Sequence, residues 1–358
     1  MRILFIGYLN TCGGAERMLI ALANAMACRE HDVYLISLVF NSPQYAISNK
    51  VVYKFFPDFG TNKLLRIVNR FFRLKNYIKE IEPDLIVNFG LTPACLCAFM
   101  GRKIARKTIY AERGDPHCAE YNGVLRLIRW LSFKKIGGFV FQSQKAQQYW
   151  NKDIIKRSCV IQNPVFLKNN DVWNPDTCNK CIVTIGRLHR QKNQAMLIDA
   201  FNMLPSDKRE YILEIYGDGP LKDMLQEKIE ALGLSSRVFL KGTFVDIHSR
   251  IASARMFVLS SDYEGMPNAL LEAMALGIPC ISTNYAPGSV KEIMVDGVNG
   301  IVVPRNNVDA LSQAMNVLID NKKLSYQIGM CAAQDVTTRL APARIYDLWE
   351  QFFYIKVN

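Results

Sequence analysis

Ile182-Val-Thr-Ile-Gly-Arg-Leu-His-Arg-Gln-Lys-Asn193 (IVTIGRLHRQKN) decides how the chain is divided. Four apolar-patterned residues read as a short buried strand, a glycine closes it, and a basic turn leads into helical periodicity. The chain opens in the same way. Arg2 to Gly7 (RILFIG) reads as a buried strand closed by turn residues, with a helix starting near Gly14 and running through Ala25.

Working outward, apolar runs at Val33 to Val39, Leu85 to Asn88, Thr108 to Ala111 and Gly138 to Phe141 predict further strands in the first half. Helical spacing fills the gaps, most clearly from Leu64 to Ile81, where apolar residues recur three and four apart. A loop with Asn163-Pro164 and the polar stretch Lys168 to Asn179 interrupts the pattern, which restarts at Ile182. Tyr211 to Tyr216, Val238 to Lys241, Met256 to Leu259 and Pro279 to Ser282 are the later strand candidates. Strands alternating with helices on both sides of one linker predict two doubly wound parallel sheets. Ligands of such sheets sit beyond the carboxyl ends of the strands, so two facing domains would place the site in the cleft between them.

With 358 residues, 50% of them hydrophobic and 21% charged, the chain is long enough for two ordinary cores. No apolar stretch reaches the roughly 18 residues of a spanning helix, and Met1-Arg2 runs straight into ILFIGYL without a cleavage site, so a cytoplasmic location is expected. Ten cysteines without repeating spacing suit a reducing compartment. Cys178-x-x-Cys181 lacks a second pair and the histidines are scattered, so no metal role is assigned. The net charge of +12 is unevenly placed: residues 1 to 165 hold 24 Lys and Arg against 11 Asp and Glu, leaving 20 against 21 for the rest. The first half therefore faces something anionic.

Three stretches carry chemistry. Asn10 to Glu16 follows the first strand, and its glycines, with a helix N-terminus behind them, suit a phosphate; a plain strand-to-helix turn fits the same residues. In the basic turn after Ile185, Arg187 offers a planar fork of donors and Lys192 a mobile point charge, a combination that neutralises a diphosphate. In EGMPNALLEAMALG, Glu264 to Gly277, Pro267 suits the first helical position, leaving Glu264 ahead of the helix and Glu272 inside it. The apolar residues around them leave little polar face, so both carboxylates need partners. One would hold the hydroxyls of a ribose and the other those of a sugar, with backbone N–H groups of Gly265, Met266, Pro267 and Asn268 nearby serving as far as each carries one.

Taken in order, Gly13-Gly14-Ala15-Glu16, Gly186-Arg187-Leu188 with Lys192, Tyr216-Gly-Asp-Gly-Pro220, Glu264-x7-Glu272, and Asp296-Gly-Val-Asn-Gly300 with Val303-Pro304 resemble the retaining family 4 glycosyltransferases of the GT-B fold, which build lipid-linked and surface polysaccharides. The resemblance covers nearly the whole chain. It implies an acceptor-side domain over 1–165, a nucleotide-sugar domain over 166–341, and a C-terminal helix over 342–358 that crosses back to the first. Glu272 would bind the ribose, Arg187 and Lys192 the diphosphate, and Glu264 the donor sugar, with Gly265 to Asn268 around it and Gly14 near the phosphates or acceptor. The absence of an Asp-x-Asp pair accords with metal independence, and no cofactor beyond the nucleotide-sugar donor, by family habit a UDP-sugar, is expected. The family's usual first-domain histidine is replaced: in Tyr110-Ala-Glu-Arg-Gly-Asp-Pro-His117, Arg113 stands at its position, with His117 or Asp115 as substitutes. An arginine there binds oxygens but is a poor base.

On the Asn62 to Ile81 helix, Arg66, Arg70 and Arg73 share a side, and VLRLIRWLSFKKI, Val124 to Ile136, mixes cations with Trp130 and Phe133. Both suit an anionic inner-membrane surface carrying a lipid-linked or oligosaccharide acceptor, which makes the expected protein peripheral. A nucleotide-sugar epimerase of the same architecture is the competing enzyme reading. A nucleic-acid-binding protein has charge alone in its favour, and no nucleic-acid partner is expected.

Overall fold

The computed structural model describes residues 1–9, 14–39, 41, 43–114, 116, 123–166, 173–244 and 246–357. The chain forms two compact units, Met1–Asn163 with Ala343–Asn358, and Pro164–Pro342.

In the first unit the strands are β1 (Arg2–Gly7), β2 (Asp32–Leu38), β3 (Val51–Phe56), β4 (Leu85–Asn88), β5 (Thr108–Ala111), β6 (Gly138–Phe141) and β7 (Ser158–Val160). They pair in parallel in the order β3-β2-β1-β4-β5-β6-β7. The central strands are buried along their whole length, as expected of a sheet covered on both faces. The order reverses between β1 and β4. The C-terminal helix, Pro342–Val357, belongs to this unit: Phe353 meets Phe5 edge to face with centroids 6.5 Å apart, and Arg29 bridges Asp347 and Glu350.

The second unit holds β8 (Cys181–Ile185), β9 (Ile212–Tyr216), β10 (Val238–Gly242), β11 (Met256–Leu259), β12 (Cys280–Thr283) and β13 (Ile301–Val303), parallel in the order β10-β9-β8-β11-β12-β13. Here the order reverses between β8 and β11, whose core residues Ile182, Met256 and Val258 are fully enclosed. Each such residue contributes roughly 2 kcal/mol by leaving water. The three strands that the sequence pattern does not announce, β3, β7 and β13, are all edges. β3 buries only its end residues, Val51 and Phe56, and β7 and β13 are three residues long, too short to show a period.

The Tyr216-Gly-Asp-Gly-Pro220 motif acquires a physical reason. Gly186 donates to the Tyr216 carbonyl at 2.9 Å and Leu188 to that of Asp218 at 3.0 Å, so the turn after β9 lies flat against the turn after β8. Gly217 has φ +138°, and a Cβ there would stand 2.1 Å from the Gly186 carbonyl oxygen. No side chain fits such an approach. Gly217→Ala should therefore lower unfolding stability by about 2–3 kcal/mol, whereas Gly123→Ala, with open space and no positive φ, should stay within about 0.5 kcal/mol; urea unfolding of the two variants measures both.

Candidate active site

The reversal between β8 and β11 opens a crevice at the carboxyl ends of those strands. Two loops fill it, Gly186–Asn193 after β8 and Ser260–Pro267 after β11, and they are stitched to each other. Asp262 donates its backbone N–H to the Gln191 carbonyl at 2.8 Å, Ser260 donates its hydroxyl to the Lys192 carbonyl at 2.8 Å, and Gln191 reaches the Tyr263 carbonyl at 2.9 Å. Asn193 turns the chain in a left-handed conformation, φ 45°, and caps the following helix, Gln194–Asn202, while bonding Asp262 at 3.0 Å.

At the centre of this stitching Lys192 Nζ sits 2.5 Å from Glu264 Oε1. The same carboxylate oxygen accepts from the Ser261 hydroxyl at 2.6 Å, and the other lies 3.4 Å from Gln191 Nε2. Glu264 is only 6% exposed, so the protein and not solvent supplies these partners. Lys192 is held by a short helical turn, Arg190–Lys192, that packs its stem against Gly186. Arg187, five residues earlier, is exposed at the mouth of the same loop.

The helix of the second carboxylate starts one residue later than the sequence suggests: it spans Asn268–Ala275, and Pro267 is its cap. Gly265 and Met266 lie in the loop between Glu264 and that cap, with Met266 buried. Glu272 is 7% exposed and faces His248, whose Nε2 is 2.9 Å from its Oε2. His248 lies on a five-residue helix, Ile247–Ile251, and nothing in its sequence surroundings marks it. Ser261 has a faint signal, a hydroxyl three residues ahead of a carboxylate.

In the first unit, Gly14 opens the helix Gly14–Cys28 beyond β1 and is exposed. Arg113 follows β5, stacked 3.8 Å above the Phe89 ring and bonded through Nη1 to Asn163 Oδ1 at 2.9 Å. Gln142, just past β6, donates to the same oxygen at 2.9 Å. Burial pulls the Arg113 guanidinium down to about 9, against the pull of Tyr110 and Glu112, so it remains a cation at neutral pH. Asn163 and Gln142 join the set of candidates that the sequence does not announce. His117, Asp115 and Gly13 lie outside the described residues, as does Lys168.

The helix Lys63–Ile81 corrects one expectation. Arg70 is gripped bidentately by Asp58 at 2.6 Å, Arg73 donates to the Pro57 carbonyl at 2.8 Å and Arg66 to that of Gly60 at 3.1 Å. These cations pin the segment ahead of their own helix, and beside Arg66, which stays exposed, the helix also exposes the apolar Leu64, Leu65, Val68 and Phe72.

Two doubly wound parallel sheets, each with candidate residues at the carboxyl ends beside its reversal point, define a GT-B fold. The sequence description "Glycosyl transferases group 1" matches residues 166–335, and "Glycosyltransferase Family 4" matches residues 12–168. A Campylobacter jejuni protein, named as an alpha-1,4-N-acetyl-D-galactosaminyltransferase of a diNAcBac-PP-undecaprenol-linked glycan, is 26% identical over 336 residues, covering 92% of this chain and 91% of that protein. The lipopolysaccharide 1,6-galactosyltransferase of Salmonella typhimurium is 27% identical over 285 residues, 76% of each chain. Among solved structures, Anabaena HepE in complex with UDP superposes with a TM-score of 0.80 at 20% identity, over 98% of this chain and 99% of that one. The chain belongs to the family 4 glycosyltransferases. The epimerase alternative finds no favour in these likenesses.

Removing one member of a buried ion pair strands the other. Lys192→Met should cost about 3 kcal/mol of stability, and combining it with Glu264→Leu should restore at least half of that loss. Denaturant unfolding of the singles and the double checks this, and strictly additive losses would contradict it.

Proposed function

We propose that this chain is a retaining, metal-independent glycosyltransferase that moves a hexose or N-acetylhexosamine from a UDP-sugar to a lipid-linked or oligosaccharide acceptor at the cytoplasmic face of a membrane. The observation that carries the reading is the largely shielded Lys192–Glu264 pair at the reversal point of the second sheet, with the buried Glu272 on the helix that follows the same loop. A half-buried lysine and two buried carboxylates at the ligand end of a sheet match a molecule with hydroxyls at both ends and charge in the middle. The likenesses support the same choice: HepE was solved with UDP, and the Campylobacter relative is named for a diphosphate-linked lipid glycan.

In this reading Glu272 accepts hydrogen bonds from the ribose hydroxyls, its orientation fixed by His248. Arg187 and Lys192 take the diphosphate, and Lys192 stays within reach of Glu264 so that the pair spans the bond between sugar and phosphate. Glu264 and the backbone N–H groups of Gly265, Met266 and Asn268 hold the donor sugar. The bond from the sugar's anomeric carbon to the phosphate oxygen breaks, a new bond to the acceptor hydroxyl oxygen forms on the same face, and the hydroxyl proton leaves with the nucleoside diphosphate. The cations stabilise the charge that builds on the departing phosphate, a contribution of several kcal/mol when donors are fixed in place beforehand. Arg113, held as a cation, binds acceptor or donor oxygens without acting as a base, and Gly14 lets the backbone approach the phosphates or acceptor.

The membrane part rests on the excess of cations in residues 1–165 and on the outward face of the helix Gly123–Phe133, where Val124, Leu127 and Trp130 are exposed while Phe133 is buried. Large exposed apolar faces beside cations fit a lipid interface.

A thermal-shift panel with UDP, GDP and ADP should show selective stabilisation by UDP that EDTA leaves unchanged. Glu272→Ala and Arg187→Ala should each weaken UDP binding by about one to two decades, and Glu264→Ala should chiefly lower turnover; NMR of the product's anomeric proton should report the donor's configuration. Stabilisation by no nucleotide, or an inverted product, would overturn the corresponding part. For the membrane part, the protein should sediment with anionic vesicles at low salt and lose most of that binding in Leu127→Ser with Trp130→Ser.

A further inference from the structure

A second opening lies in the first unit, at the wrong end of the sheet for the reaction. It is a cavity of about 1030 Å3 whose walls include residues shortly ahead of three neighbouring strands: Arg106 ahead of β5, Lys134 and Lys135 ahead of β6, Lys156 and Arg157 ahead of β7. These are the amino ends. Arg113 and Gln142 stand at the carboxyl ends of the same strands, so the cavity is separate from the candidate residues of the first unit.

Its charge is one-sided. Eight lysine and arginine side chains line it against a single carboxylate, Asp153. Among the described residues, Arg106, Lys134, Lys135, Lys156, Arg157 and Lys356 form no ion pair with any carboxylate. Arg157 is instead tied to the main chain: it donates to the Ile136 carbonyl, to Phe133 at 2.9 Å and to Asp153 at 3.1 Å, capping the end of the Gly123–Phe133 helix. Lys134 rests 3.4 Å over the Trp130 ring, and Lys356 lies over Phe352. Burial and then the neighbouring Arg157 hold the Lys356 ammonium below its usual range, despite Cys159. Like charges gathered in one concavity repel each other, and a multiply charged anion relieves the repulsion.

The surroundings point to the anion's source. Trp130 and Tyr149 stand in the wall and are exposed, and the apolar outer face of the Gly123–Phe133 helix, with Leu127 and Leu131, runs up from it. A free phosphate would need only the cations, whereas a phospholipid uses both the charged hollow and the adjoining apolar strip. We propose that this cavity binds the phosphate of an anionic lipid head group, making it an anchoring site distinct from the donor and acceptor sites. The proposal rests on the membrane reading only for the source of the phosphate; the cavity's affinity for phosphate stands independently of it.

Arg106, Lys135 and Lys156 are exposed, so Arg106→Gln, Lys135→Gln and Lys156→Gln can be combined without disturbing the core. The matched control is Arg102→Gln, Lys103→Gln and Lys152→Gln, three exposed cations outside the cavity. Two probes are used at one ionic strength: inorganic pyrophosphate, followed by the fluorescence of Trp130 and Trp150, and vesicles of phosphatidylglycerol in phosphatidylcholine against pure phosphatidylcholine. The cavity variant should bind the phosphatidylglycerol vesicles about a hundredfold more weakly, a factor of roughly five per basic residue, and lose the pyrophosphate response, while the control keeps both to within about threefold. Equal losses in the two variants would mean diffuse charge and overturn the site. Loss of the pyrophosphate response with vesicle binding intact would overturn the lipid source. UDP stabilisation, read by thermal shift, should be the same in all three proteins, and a loss confined to the cavity variant would overturn its separateness from the donor site. Absence of UDP stabilisation in every protein would count against the glycosyltransferase reading and leave the cavity result standing.

Discussion

The contact between Lys192 and Glu264 ties together the two loops at the reversal point of the second unit. One partner comes from the loop after β8, the other from the loop after β11, 72 residues apart in sequence, and each is largely shielded from water. A charge in such a place is costly alone and tolerable in company. Ser261 and Gln191 add hydrogen bonds to the same carboxylate, so Glu264 is held by three donors from the two loops. The backbone bonds between Asp262 and Gln191 and between Ser260 and Lys192 carry the alignment back into the sheet. A cation and a carboxylate are thereby placed where the strand order reverses, the position at which open parallel sheets receive their ligands.

The glycines around this pair serve its geometry. Gly217 and Gly219 let the turn after β9 lie against Gly186 and Leu188, since a Cβ at either would meet main-chain atoms at 2.1 and 2.5 Å. The turn after β8 is thus backed by main chain, and Lys192 from the same turn reaches Glu264 of the loop after β11. Preorganisation of this kind matters for catalysis, because donors already in place need not be reorganised when charge moves. The first unit does something comparable with different parts, fixing Arg113 between the Phe89 ring and Asn163.

The central strands were legible in the sequence because burial on both faces makes them short apolar runs: LIVN, TIYA, GFVF and MFVL all appear as strands with the bounds their patterns suggest. Three of the four edge strands were not: VVYKFF is interrupted by Lys54 and buries only its two end residues, and SCV and IVV are too brief to show a period. Among the candidate residues of the two units, Glu264 and Glu272 stood out as carboxylates in apolar surroundings. His248, Gln142 and Asn163 did not, because each gains its meaning from a partner tens of residues away that only the fold supplies. Arg66, Arg70 and Arg73 show the converse. Their helical spacing placed them on one side correctly, but spacing says nothing of Asp58 and the carbonyls of the preceding loop, which take up their donors.

The central claim is that Glu272 marks the nucleoside end of the donor and Lys192 with Arg187 its diphosphate. The most direct test compares the calorimetric affinity of UDP with that of 2′,3′-dideoxy-UDP, in the native protein and in Glu272→Ala. If the carboxylate accepts from the ribose, deleting the hydroxyls should cost about one to two decades in the native protein and almost nothing in the variant. An equal loss in both proteins would show that the ribose is held elsewhere and that the second carboxylate has been given the wrong role.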